Sequence, residues 1–157
     1  MRLLEVEQEQ VLIGMASLEQ VSAAYDLYKG SDVWIALLHC VSSYPLLERD
    51  ANLRAIGTLK QKFNCPVGYS DHTRGTTVPL FAVASGATII EKHYKLDESM
   101  KCPDAEVSIT EFEMKKLVDD IQSLNESLGD GAIGPQEVEK DILQYRRFSE
   151  LDNIGVS

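Results

Sequence analysis

Short apolar runs alternate with segments of helical spacing along this chain. The runs fall at residues 11–15, 34–41, 66–69 and 87–94 and are rich in β-branched side chains, a pattern that predicts four strands. Each run is followed by a helix signal. Ser17-Leu18-Glu19-Gln20 has the form of a capping box, with Leu18, Val21, Tyr25 and Tyr28 on one face and Gly30 as a stop. Asp50 is placed to cap a second helix whose apolar stripe is Leu53, Ile56, Leu59 and Phe63. Thr77 and Pro79 open a third, in which Leu80, Phe81, Val83 and Ala84 lead to Gly86. Thr110-Glu111-Phe112-Glu113 is a further capping box. It opens a helix with Met114, Leu117, Val118, Ile121, Leu124 and Leu128 inward and Gly129 at its end.

Near-continuous apolar strands separated by helices predict an α/β fold with a parallel sheet covered on its faces. A complete (β/α)8 barrel takes roughly 250 residues. Four consecutive βα units in 157 residues therefore suggest half of a TIM barrel. The expected division is 1–131 for the half barrel and 132–157 for an extension, a loop plus a short helix around Ile142 to Phe148. Ligands in such folds sit at the carboxyl ends of the strands, and polar residues gather there. His39 and Cys40 close the second run, Ser70 to His72 follow the third, and Glu91, Lys92 and His93 lie in the fourth.

Composition narrows the partners. Fifteen basic residues against 25 acidic ones give a formal net charge of −10, which argues against a nucleic-acid or anionic-membrane surface. No apolar run approaches the ~18 residues of a spanning helix, and the acidic MRLLEVEQEQ start does not resemble a signal peptide. Cys40, Cys65 and Cys102 are odd in number and lack CxxC spacing, the signature of reduced thiols in a cytoplasmic protein.

The chemistry centres on Ser70-Asp71-His72. On a strand Ser70 and His72 share a face and Asp71 points away, so three consecutive residues do not make a nucleophile with its base. Asp71 is expected to fix the turn. His72 and His93 end consecutive strands, from which two imidazoles can converge on one metal ion; from spacing alone each is equally an ordinary polar residue at a strand mouth. His39 reads as a satisfied structural histidine. Ser42 and Tyr44 sit on one face of an extended loop before Pro45, where their hydroxyls can meet phosphate or sugar oxygens or cap backbone groups. Asp104 is either an acceptor for polyol hydroxyls or an Asx turn after Pro103. An ion pair between Glu91 and Lys92 is not implied, since adjacent side chains alternate in direction.

Five segments together resemble the sialic acid synthase family: LLHCVSSYP (37–45), NLRAIGTLKQKF (52–63), PVGYSDHTRG (66–75), GATIIEKHYKLD (86–97) and CPDAEVSIT (102–110). That family comprises the N-acetylneuraminate synthases and their pseudaminic, legionaminic and spore-coat polysaccharide relatives. The resemblance implies a TIM barrel that condenses phosphoenolpyruvate with an N-acylated hexosamine such as N-acetylmannosamine, releasing phosphate and using a divalent metal, Mn2+ first, with Mg2+ or Co2+ as alternatives. It implies that His72 and His93 hold the metal, that Ser42, Tyr44 and Ser70 contact phosphoenolpyruvate, and that Tyr44 and Asp104 contact the sugar.

Departures from the family pattern qualify that expectation. Ser42 stands where many members have asparagine, Leu12 where a phosphate-binding serine falls, and CPDA replaces Gly-Pro-Asp-His. A leucine beside a phosphate removes a donor. The chain corresponds to strands five to eight, so the family's acid/base groups are expected in strands one to four, outside it, and the antifreeze-like C-terminal domain is expected to be absent. Two readings follow. One is an incomplete synthase barrel that works with a complementary N-terminal half; the other is a catalytically inactive, homo-oligomeric half barrel that binds metal and phosphate.

Overall fold

The computed structural model describes residues 8–145. Strands and helices alternate: β1 (Gln8–Ile13), α1 (Leu18–Tyr28), β2 (Trp34–Cys40), α2 (Arg54–Lys62), β3 (Val67–Asp71), α3 (Thr77–Ala84), β4 (Ile89–Lys92) and α4 (Glu111–Leu128). Short 3-10 turns cover Glu48–Asp50 and Glu137–Tyr145. The four strands form one parallel sheet in the order β1-β2-β3-β4. This is the α/β arrangement of four βα units that the hydrophobic pattern predicts. The chain divides into two compact units whose boundary falls between Asn125 and Glu126, within α4. No helix among the described residues is long and apolar enough to cross a membrane.

The core lies between the sheet and its helices. Leu37, Val67 and Tyr69 present one sheet face to Val21 of α1, Ile56 and Leu59 of α2, Phe63, and Val78 and Ala82 of α3. The other face carries the alternate residues, in rows fixed by the register. Leu12, Leu38, Gly68 and Ile89 form one row, and Cys40, Ser70 and Glu91 the next toward the strand ends. Gly68 is required by this register, because a Cβ there would lie 2.6 Å from the Ile89 carbonyl oxygen and 3.1 Å from Leu38 Cγ.

Local signals hold where their partners are close in sequence. Ser17 caps α1 through a reciprocal box with Gln20, and Thr110 does the same with Glu113 at α4. Gly86 ends α3 at φ 100° in a Schellman arrangement, with Ala87 N–H donating to Ala82 O and Gly86 N–H to Val83 O. This reversal aims the chain into β4.

Four expectations are corrected. Asp50 does not cap α2: it ends the 3-10 turn, Asn52 takes a left-handed φ of 48°, and α2 starts at Arg54 without a side-chain cap. In α3 the buried residues are Val78, Pro79 and Ala82, while Phe81 is 54% exposed. That helix is apolar almost all round, so periodicity cannot choose its face. In α4 Leu117 is buried, but Val118 and Leu128 are more than half exposed. The run expected at 11–15 becomes a strand ending at Ile13, with Gly14 and Met15 in the following bend. In the C-terminal segment a 3-10 turn occupies Glu137–Tyr145. Residues 146–148 of the expected terminal helix lie outside the described residues.

Candidate functional site

His72 and His93 are the residues immediately after β3 and β4. Because those strands are parallel and adjacent, both imidazoles leave the same end of the sheet, and their ring centroids stand 5.5 Å apart. Tyr44, from the loop after β2, joins them, with ring centroids 4.0 Å from His72 and 5.7 Å from His93. Asp104 approaches from the loop after β4, with Oδ2 3.8 Å from His93 Nδ1.

The hydrogen bonds of His72 fix its tautomer. Its Nδ1 lies 2.8 Å from the Val41 carbonyl oxygen, which can only accept, so Nδ1 carries the proton. Nε2 is then a lone-pair acceptor, and the Tyr44 hydroxyl donates to it over 2.8 Å. An imidazole whose Nδ1–H is tied to a backbone carbonyl is prepared for ligation through Nε2. The donor set therefore fits the divalent metal expected from the sequence, as two imidazoles with open positions. No group of three or more His, Cys, Asp or Glu among the described residues is arranged to hold an ion.

Below this pair lies the row Cys40, Ser70 and Glu91. Ser70 is buried, and its Oγ–H donates to Glu91 Oε1 over 2.7 Å. Burial raises the Cys40 thiol pKa above its ordinary value; the Ser42 and Ser70 hydroxyls oppose that shift and the Glu91 charge adds to it. Burial also raises the Tyr44 phenol, with Cys40, Asp104 and Glu91 adding to the effect. Ser42 packs close to the bend after β1, where a Cβ on Gly14 would fall 2.6 Å from its Oγ. Leu12 sits on the same sheet face, 53% exposed.

The sequence-predicted residues are thus brought together in part. Tyr44, His72, His93 and Asp104 form one cluster, and Ser70 lies beneath His72 on the same face. Ser42 is exposed at the loop edge. His39 is apart from them: it is buried, with Nε2 2.9 Å from Ala51 O, as a structural histidine should be. Sequence reasoning left Glu91 without a role, and the signal that could have found it was its place one residue before a candidate ligand on an adjacent strand. Lys92 turns to the opposite face and pairs with Asp71, not with Glu91.

Comparison with known proteins gives this cluster a context. The NeuB family model matches residues 5–133. The N,N'-diacetyllegionaminic acid synthase of Legionella pneumophila is 43% identical over 141 residues, covering 87% of this chain and 40% of the relative. The pseudaminic acid synthase of Campylobacter jejuni is 35% identical over 151 residues, covering 94% and 43%. The crystal structure of N-acetylneuraminic acid (sialic acid) synthetase from Leptospira borgpetersenii, in complex with citrate, matches with a TM-score of 0.82 and 44% identity over 90% of this chain and 50% of that one. The chain spans less than half the length of the two curated relatives. This chain belongs to the NeuB family, and the three relatives named above are synthases of legionaminic, pseudaminic and sialic acids.

Proposed function

We propose that the strand-end cluster is one side of the active mouth of a nonulosonate synthase, condensing phosphoenolpyruvate with N-acetylmannosamine or a related N-acylated hexosamine and releasing phosphate. The observation that carries this reading is the convergence of His72 and His93, with His72 Nε2 prepared as a ligand by the Nδ1–H bond to Val41. His72 and His93 would hold a divalent metal, Mn2+ first. Such an ion, when bound, supplies Lewis-acid polarisation of the sugar aldehyde.

The chain's own residues bind and orient. Tyr44 and Ser42 offer hydroxyls to the carboxylate and phosphate oxygens of phosphoenolpyruvate, and Asp104 accepts from a sugar hydroxyl. Ser70 donates its hydroxyl proton to Glu91. To donate to a phosphate or carboxylate oxygen its hydroxyl must rotate away from Glu91, whose charge otherwise opposes an anion at this spot. Holding both substrates in one mouth converts a two-body reaction into a local one. The new carbon–carbon bond forms between the enol carbon and the aldehyde carbon, water adds, and phosphate leaves.

The half-exposed Leu12 and the outer edge of β1, unpaired by any strand among the described residues, support completion of the mouth by a complementary half barrel. The test is calorimetric titration with phosphoenolpyruvate in the presence of Mn2+. Binding that weakens in both His93→Ala and Ser70→Ala is expected; binding as strong as the parent's in both variants overturns the assignment. Phosphate release with N-acetylmannosamine then reports turnover.

A further inference from the structure

We infer that the buried Asp71–Lys92 ion pair is a positioning device for His72 and His93, set on the opposite side of the sheet from the ligands it aims. The inference rests on the reading of the two histidines as a ligand pair. Asp71 and Lys92 are register partners at the last rung of the β3–β4 ladder. Their charged groups meet at 2.6 Å, with side chains 0% and 1% exposed. Each precedes one of the histidines directly, so any shift at this rung is passed to both imidazoles at once.

The contacts bracket His72. Lys92 Nζ donates to the Asp71 carboxylate and also to the Thr73 carbonyl oxygen. Asp71 in turn accepts from the Thr73 backbone N–H at 3.2 Å and from the Thr73 hydroxyl at 2.9 and 3.0 Å. The residues on both sides of His72 are thereby tied to one another and to β4. The chain leaves the strand here, where ladder hydrogen bonds no longer fix it. His72 itself then reaches the Val41 carbonyl with Nδ1, a bond that sets its tautomer.

Stability alone does not call for such a pair. A buried ion pair can often be replaced by apolar side chains of similar volume at no cost, whereas removing one partner is strongly destabilising. An apolar pair would fill the space but would leave the Thr73 carbonyl and N–H untethered, freeing the turn that carries His72. The pair also gives Lys92 a function the active-mouth face does not use, since its ammonium is turned away from Glu91 and the substrates.

The test compares the parent chain with the double variant Asp71→Leu/Lys92→Met by three readouts: thermal midpoint, Mn2+ affinity from the free-ion electron paramagnetic resonance signal, and the ring 15N shifts of His72. The account predicts a thermal midpoint near that of the parent, Mn2+ affinity lower by about 10–100-fold, and a His72 that no longer holds a single Nδ1–H tautomer. Unchanged affinity with an unchanged tautomer overturns it. If the double variant does not fold, Lys92→Arg keeps the charge and moves the donors; a several-fold loss of Mn2+ affinity supports the inference and an unchanged value overturns it. If the parent itself binds no Mn2+, the ligand-pair reading fails, and the tautomer comparison alone decides whether the pair positions His72.

Discussion

The Tyr44 hydroxyl donates to His72 Nε2 over 2.8 Å, while the opposite nitrogen of the same ring donates to Val41. The lone pair proposed to hold a metal is therefore already capped by a phenol that must move aside. A neutral hydrogen bond contributes about 0.5–1.5 kcal/mol net. Tyr44→Phe should tighten Mn2+ binding by about two- to tenfold while weakening phosphoenolpyruvate binding. Weaker Mn2+ binding in Tyr44→Phe would show that the phenol is a partner of the ion and not its competitor.

Glu91 and Ser70 make the second prediction. Replacing Glu91 by glutamine removes a negative charge next to the proposed anion site and releases the Ser70 hydroxyl from a carboxylate. Neutralising one charge near a partly hydrated anion is worth on the order of 1 kcal/mol. Glu91→Gln should lower the Kd for phosphoenolpyruvate about fivefold in a calorimetric titration, and a rise in Kd would place Glu91 among the groups that hold the substrate.

The third prediction concerns the fold. A methyl group at Gly68 meets the Ile89 carbonyl oxygen at 2.6 Å and Leu38 Cγ at 3.1 Å. The first contact is with backbone and has no side-chain freedom to relieve it. Gly68→Ala should cost about 1–3 kcal/mol and, by prising β4 from β3, separate His72 from His93. Urea denaturation measures the first effect, and the Mn2+ affinity of the still-folded fraction measures the second.

Alkaline pH gives a fourth. Burial raises the thiols of Cys40 and Cys65 and the phenol of Tyr69 above their ordinary values, with Asp71 adding to the Tyr69 shift. The folded state thus keeps protons that the unfolded chain sheds above about pH 8.5 for thiols and about pH 10 for tyrosine. The stabilisation is complete below those values and is lost as pH rises through the raised folded pKa values. Thermal midpoints should fall progressively from about pH 8.5 upward. The fall should be shallower in Tyr69→Phe, which removes one of the buried groups that sheds a proton on unfolding. A midpoint that does not change with pH over this range would contradict the burial of these groups.

Both capping boxes were legible because they depend on residues a few positions apart, Ser17 with Gln20 and Thr110 with Glu113. The convergence of His72 and His93 was legible too, since adjacent parallel strands put their ends together. What escaped was set by register over 21 residues: Ser70 with Glu91, and Asp71 with Lys92. Sequence spacing gives the direction in which each side chain leaves its strand but not which residue faces it. Asp50 failed as a cap for a different reason. Its local pattern was acceptable, but the left-handed turn at Asn52 reset the start of α2.

Mn2+ binding by the chain and by its histidine variants tests the central claim most directly. Electron paramagnetic resonance titration should show one Mn2+ per chain, with affinity reduced at least about tenfold by His72→Ala or His93→Ala, as expected for loss of one of two protein ligands. No binding by the parent chain, or equal affinity and stoichiometry in the double alanine variant, would contradict the assignment of His72 and His93 as the ligand pair.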